Sequence, residues 1–240
     1  MGRDVRGRLA GWSVAVVRPA DQAEPVVTAL AAEGATAVVV PLVRVVDVEH
    51  GELLAAIADL TTHDWVVATS PNGADRLAPV LEGCPAGVAA VGAATADRLP
   101  RVDLVPRVQR AEGLLAELPA PHRGGRAVVV QSADAHPTLV DGLRARGWLV
   151  VPIVSHRTVT VVPTADDRIR AASADALLLT AGSQARAWVE VLGPVAPPTV
   201  VAIGEQTARD AVAAGLKVDA VAADHSITGT VEALVKLAGR

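Results

Sequence analysis

Short, nearly unbroken runs of β-branched and aliphatic residues recur along the chain, and Ala- and Leu-rich stretches lie between most of them. The runs predict strands near 13–17, 37–41, 64–69, 87–91, 102–105, 126–130, 149–154, 176–180, 199–203 and 218–222. A strand loses its polar alternation when both faces of its sheet are covered, as in parallel sheets layered between helices. The stretches between the runs read as helices. Asp21 to Glu33 puts Val26, Val27, Leu30 and Ala31 on one face and meets Gly34 as its C-cap. Ser132 to Arg146 does the same with Leu139, Val140 and Leu143, and ends at Gly147.

The alternation breaks twice. Residues 43–48 and 155–161 stay strand-like past the preceding strand, carry interspersed polar residues and are not followed at once by a helix. They read as two extended connectors. Five predicted strands fall between them and five outside. The simplest organisation is therefore an α/β protein of two lobes, each a five-stranded parallel sheet flanked by helices. One lobe is 1–42 with 162–240 and holds both termini. The other, 49–154, is inserted, with 43–48 and 155–161 as a two-stranded linker. Strand count alone does not separate this from a sequential split at the midpoint.

The halves also repeat. Val67-Ala68-Thr69-Ser70-Pro71-Asn72-Gly73, then Val91-Gly92-Ala93-Ala94-Thr95-Ala96, parallel Leu179-Thr180-Ala181-Gly182-Ser183, then Ile203-Gly204-Glu205-Gln206-Thr207-Ala208. Each is an apolar run entering a small polar turn before a helical stretch. Such a turn exposes free backbone N–H groups at a helix N-terminus, which suits anions. The period is too long for a solenoid and reads as duplication of a domain-sized unit.

Composition narrows the function. With 240 residues, 51% of them hydrophobic and 20% charged, a packed core is expected. A net charge of −4, no basic run, no Phe, no Tyr and only four Trp argue against a nucleic-acid partner. The single Cys84 excludes a disulfide framework within the chain and a cysteine zinc cluster. The charged start of the chain lacks an apolar signal core, and no run of 18 apolar residues spans a membrane, so a cytoplasmic protein is expected. His50, His63, His122, His136 and His225 are scattered without metal-site spacing. Asp134, the Asp166-Asp167 pair and Asp224 read as solvated or capping residues. The Gly-x-x-Thr segments lack the Gly-Lys-Ser/Thr ending of a P-loop.

The ordered landmarks are Val17-Arg18-Pro19, Pro41-Leu42, Ala68-Thr69-Ser70-Pro71-Asn72-Gly73, Val91 to Ala96, Ala111-Glu112-Gly113-Leu114-Leu115, and Ile203 to Ala208. With these landmarks in order, the chain resembles the uroporphyrinogen-III synthase family. The resemblance implies two flavodoxin-like lobes on a two-stranded linker. It implies a cofactor-free and metal-free lyase that closes hydroxymethylbilane, a linear tetrapyrrole with eight carboxylates, inverting the last ring and releasing water. It also implies a monomer that takes substrate by handover from porphobilinogen deaminase, with neither membrane nor nucleic acid involved.

For that chemistry, Arg18 at the end of the first strand could grip a carboxylate bidentately, or simply face solvent. Ser70, Asn72 and Gly73 would bind substrate through their turn, although Ser70 is also a natural N-cap. Gly92 and Gly204 would admit close approach of substrate. Thr95 and Thr207 follow three residues on, and their hydroxyls could instead bond locally. The family usually carries Tyr-Arg in the return linker, where this chain has His156-Arg157. His156 could donate a proton to the departing hydroxyl, or be a surface residue of a divergent linker. Thr207 and His156 are the catalytic candidates. Arg157, Gly182 and Ser183 complete the substrate set. Ala181-Gly182 stands where the family has Ser-Pro. That departure leaves room for a paralogue with another substrate, or for a two-lobed small-molecule binding or regulatory protein.

Overall fold

The computed structural model describes residues 7–49 and 51–239. Ten strands and ten α-helices are found among them. In chain order these are β1 (Ser13–Val16), α1 (Glu24–Ala32), β2 (Thr36–Val39), β3 (Val43–Asp47), α2 (Gly51–Ile57), β4 (Trp65–Ala68) and α3 (Pro71–Leu77). Then come β5 (Gly87–Ala90), α4 (Ala93–Ala96), α5 (Ala111–Glu117), β6 (Arg126–Ser132), α6 (Thr138–Ala145) and β7 (Leu149–Thr160). The last are α7 (Ala165–Ala172), β8 (Ala176–Leu179), α8 (Gly182–Leu192), β9 (Thr199–Ala202), α9 (Glu205–Ala213), β10 (Ala220–Val221) and α10 (Ile227–Ala238). The chain divides into two compact units, 1–44 with 159–240, and 45–158.

The first unit holds a five-stranded sheet in the order β10-β9-β8-β1-β2, with every pairing parallel. Its strands bury both faces, as unbroken apolar runs require. Ala15, Val17, Leu177 and Leu179 pack to one side with Trp188 of α8, while Val14, Val16, Ala176 and Leu178 pack to the other with Leu30 of α1 and Leu234 of α10. Gly34 adopts φ +80 after α1, a left-handed cap that a Cβ would disfavour.

The second sheet runs β3-β7-β6-β4-β5. Its β7–β6, β6–β4 and β4–β5 pairs are parallel. Val66, Ala68, Val128 and Val130 face Leu53 of α2 and Leu77 of α3, and Val67 and Val129 face Leu114 of α5 and Leu143 of α6.

Four expectations are corrected. The run at 102–105 makes only an isolated bridge, Leu104 to Ala89, because Asp103 turns its carboxylate to the neighbouring strand instead of extending the ladder. The fifth strand of the second sheet is β3. Val48 N bonds to Ser155 O and Val161 N to Leu42 O, so numbers rise along one strand as they fall along the other, and β3 runs antiparallel to β7. The run at 149–154 and the segment after it form one strand, β7. The helix expected from Ser132 starts at Thr138, because β6 continues to Ser132.

The amino edges of the strands are tied by aspartates. Asp64 Oδ1 accepts from Arg126 N, Asp175 Oδ2 from Ser13 N and Asp103 Oδ2 from Val88 N, each at 2.7 Å, and Asp219 Oδ2 accepts from Val200 N at 2.9 Å. Each carboxylate thus holds the start of an adjacent segment. Asp64 is buried, which pushes its pKa up. The N–H groups of Arg126 and Thr61, the Thr61 hydroxyl and the Arg126 charge outweigh that and leave it lowered overall. A depressed folded pKa contributes stability above the unfolded value of about 3.9, and the contribution is lost as pH falls through the folded value. Asp64→Asn is expected to lower unfolding free energy by about 1–3 kcal/mol at neutral pH, read by urea titration. The deficit should shrink on acidification below pH ~4. An unchanged midpoint at neutral pH would contradict this.

Candidate functional site

Parallel topology sends every strand of the first sheet out at one edge, and the sequence-predicted residues gather there within each unit. In the first unit, β1, β8 and β9 are consecutive neighbours. Their exits carry Arg18, then Gly182 and Ser183 at the start of α8, then Gly204 and Thr207 at the start of α9. In the second unit, Ser70, Asn72 and Gly73 leave β4, and Gly92 and Thr95 leave the adjacent β5.

Arg18 follows β1 through buried Val17. Its Nε and Nη1 are buried and have no hydrogen-bond partner among the described residues. Burial lowers its pKa, and the nearby Asp21 offsets this only in part. A desolvated guanidinium without an acceptor is costly unless an anion completes it.

The turns differ in how their helix ends are satisfied. Ser70 is extended and accepts from Gly73 N at 3.2 Å, with Pro71 at the first helical position. Thr69 Oγ1 donates to Val130 O at 3.1 Å and fixes the turn to β6. At the next turn the cap comes from a distance: Gln109 Oε1 accepts from Ala93 N at 2.9 Å and lies where a Gly92 Cβ would have only 3.0 Å. In the first unit, Gln184 is buried and bonds back to its own turn. Thr180 N donates to its Oε1 at 2.9 Å, and its Nε2 donates to Thr180 Oγ1 at 2.8 Å.

Two glycines of the expected substrate set are faced by the protein's own side chains. A Cβ on Gly204 would lie 3.1 Å from the His225 ring, whose Nε2 is 3.1 Å from Glu205 Oε2. A Cβ on Gly182 would lie 1.9 Å from Asp210 Oδ2 and 2.6 Å from Asp210 Cβ. Asp210 is held by Gln206 Nε2 at 2.9 Å, with Arg186 Nη1 3.9 Å away. Thr95 and Thr207 are both buried, at 4% and 8% exposure.

His156 is not a surface residue: it is 3% exposed. The β6–β7 register shifts there. Gln131 pairs with Val154 and Ser132 with His156, so Ser155 is an extra residue, a β-bulge. Two successive residues at the bulge, Ser155 and His156, are buried. Ala68 pairs with Val130, so His156 lies just past the carboxyl edge from which Ser70 departs. Its Nδ1 is 2.9 Å from Ser155 Oγ. Burial lowers its pKa, the Arg76 charge lowers it further, and Asp47 opposes both. Arg76 is ion-paired with Asp47 and donates from Nη1 to Asn72 O at 2.6 Å. Arg157, the next residue, is exposed.

Sequence reasoning missed Gln109 and Asp210, which reach their turns through the fold, and Arg76 with its ion-pair partner Asp47. Gln184 was missed as well, although a Gln at the third helical position commonly reaches back to the turn. The other histidines differ in surroundings. The rings of His63 and His122 meet at a 45° tilt with centroids 4.4 Å apart, His136 bonds to Thr138, and His50 lies outside the described residues. Asp167 caps α7 with Thr164, and Asp224 accepts from Ser226. No helix among the described residues is long and apolar enough to cross a membrane.

The strand order and the turns define an α/β protein of two parallel-rich sheets, with small-residue strand-to-helix turns at the carboxyl edges. Residues 24–232 match the family model described as uroporphyrinogen-III synthase HemD. The chain belongs to the uroporphyrinogen-III synthase family. The uroporphyrinogen-III synthase of Synechococcus elongatus is 26% identical over 177 residues, 67% of this chain and 66% of that protein, so the match spans just under two thirds of the relative's length. A mutant uroporphyrinogen III synthase of Thermus thermophilus shares the fold with TM-score 0.64 at 22% identity, over 95% of this chain and 98% of that one. The Helicobacter pylori enzyme does so with TM-score 0.61 at 17% identity, over 94% and 99%.

Because a Cβ at Gly182 would overlap Asp210 down to its own Cβ, rotation of the carboxylate alone cannot make room. Gly182→Ala is expected to cost about 1–3 kcal/mol by overpacking, read by thermal melting. Asp210→Gly should recover part of that loss in the Gly182→Ala background, a coupling of at least ~0.5 kcal/mol in a double-mutant cycle. Strictly additive effects would mean that the two residues do not touch.

Proposed function

We propose that the protein is a uroporphyrinogen-III synthase that closes hydroxymethylbilane with inversion of its last pyrrole ring. The observation that carries this is the guanidinium of Arg18 at a carboxyl edge, whose buried Nε and Nη1 have no acceptor among the described residues. Open α/β sheets take ligands at that edge, beside the strand where the order reverses. Family membership names the ligand, a linear tetrapyrrole bearing eight carboxylates.

Each unit is read as a flavodoxin-like lobe. Counting the first unit's own strands in chain order, its sheet runs second, first, third, fourth, fifth, which supports this reading. The second unit repeats that order through β5-β4-β6-β7, with β3 as the added edge. The lobes would be 1–42 with 162–240 and 49–154, with 43–48 and 155–161 as linker strands. The division between compact units falls inside both linkers, in support.

In the reaction, the terminal hydroxyl leaves with a proton as water and gives an azafulvene cation. The cation is attacked by the substituted carbon of the last ring, forming a spiro intermediate. That intermediate fragments and recloses at the unsubstituted carbon of the same ring, which sheds its hydrogen as a proton. No metal or organic cofactor is required. Folding a flexible chain so that its ends meet is a proximity effect. Protecting the cation from water is a desolvation effect. Arg18, the Ser70-Asn72-Gly73 turn, Gly92, Thr95, Arg157, Gly182, Ser183 and Gly204 are proposed to hold carboxylates. His156 and Thr207 are proposed to act at the reacting end. Handover from porphobilinogen deaminase, a monomeric state and a cytoplasmic location complete the proposal.

One observation favours a second reading, a diverged relative acting on another substrate. Asp210 lies against Gly182, where a carboxylate-binding turn would otherwise be open.

Hydroxymethylbilane closes unaided to the type I isomer, so the product isomer ratio separates the readings. The protein is expected to give mainly uroporphyrinogen III. Arg18→Gln should lower kcat/KM by about 10- to 100-fold, the scale of one charge-assisted hydrogen bond. Type I alone, at the rate seen without protein, would exclude synthase activity.

A further inference from the structure

The bulge in β7 sets the environment of His156 in a way that fixes more than its position. Ser155 and His156 are 2% and 3% exposed, so water does not compete for their polar atoms. Ser155 Oγ makes two contacts, to Gln131 O at 3.3 Å and to His156 Nδ1 at 2.9 Å. The serine has one hydroxyl hydrogen. A carbonyl oxygen can only accept, so the Gln131 contact is a hydrogen bond only if that hydrogen points to it. The serine oxygen must then accept from the ring, and Nδ1 must carry the proton. The reverse assignment, with Ser155 donating to Nδ1, gives up the Gln131 hydrogen bond and leaves the serine oxygen facing that carbonyl oxygen at 3.3 Å.

We propose that Ser155 is a positioning residue that holds His156 as the tautomer protonated on Nδ1, leaving Nε2 as the ring's proton acceptor. Resting on the synthase reading, this makes His156 a base instead of the donor that the place of the family's Tyr implies. The step balances. When the last ring recloses, its unsubstituted carbon bears one hydrogen too many. Nε2 takes that proton, the carbon–hydrogen electron pair restores the aromatic pyrrole, and the imidazolium later passes the proton to solvent. Departure of the hydroxyl is a separate event, with its proton supplied from elsewhere.

The surroundings of the ring agree. Burial disfavours the imidazolium, and so does the cation of Arg76, fixed between Asp47 and Asn72 O, with Asp47 opposing both. A neutral imidazole with Nδ1–H is a competent base.

The test reads the tautomer directly in the ligand-free full chain. Long-range nitrogen–proton NMR spectra of histidine-labelled protein distinguish Nδ1–H from Nε2–H, and His156→Phe assigns the signal. Wild type is expected to give the Nδ1–H pattern. Ser155→Ala should shift it toward Nε2–H and lower kcat for uroporphyrinogen III by about tenfold with KM nearly unchanged. Ser155→Thr, which keeps the hydroxyl, should restore both. An Nε2–H pattern in wild type overturns the proposal whatever the activity. So does a Ser155→Ala variant that keeps wild-type tautomer and rate. If the protein makes no uroporphyrinogen III at all, the synthase reading and the base role fall together, and the spectrum reports the Ser155 effect separately.

Discussion

Parallel strand pairing is the constraint from which the rest follows. A parallel strand cannot return by a tight hairpin, so each crossover carries a helix back to the opposite edge. Every strand therefore exits at one edge, where the next helix begins with unpaired N–H groups. The first unit obeys this throughout, and the second through four of its five strands. The two edges then take different chemistry. Aspartates clasp neighbouring segments at the amino edge, while Gly, Ser and Thr turns and Arg18 occupy the carboxyl edge.

The carboxyl edges are already partly satisfied from within. Gln109, Gln184, Asp210 and His225 each contact a turn that the substrate was expected to meet. Arg18 has no such internal partner for Nε and Nη1 among the described residues. On the synthase reading proposed above, charge recognition in the first unit would rest on one guanidinium more than on a row of equivalent helix ends. In the second unit the Asp47–Arg76 pair beside His156 couples β3, α3 and β7 electrostatically.

Much of the fold was legible because buried parallel strands are apolar throughout. Val66-Val67-Ala68 and Leu177-Leu178-Leu179 announce themselves, and Gly34 marks its helix end. The 102–105 run misled because Asp103 serves as a clasp, which hydropathy cannot distinguish from a strand residue. The bulge was not legible. The local pattern of Ser155-His156-Arg157 gives no sign of an extra residue, and only the register against Gln131 and Ser132 shows it. The Ser70 cap was read from local pattern alone. Gln109 and Asp210 reach their turns through tertiary contacts, which no local pattern encodes.

The central claim is that the carboxyl edge of each unit receives the polyanion. Hydrogen–deuterium exchange with and without saturating uroporphyrin III, a non-reacting tetrapyrrole with eight carboxylates, tests it most directly. Protection is predicted at Arg18, residues 69–73, 92–95, 181–184 and 203–207, with none at the clasps around Asp64, Asp103, Asp175 and Asp219. Protection confined to the clasp edges, or none at saturation, would contradict the account.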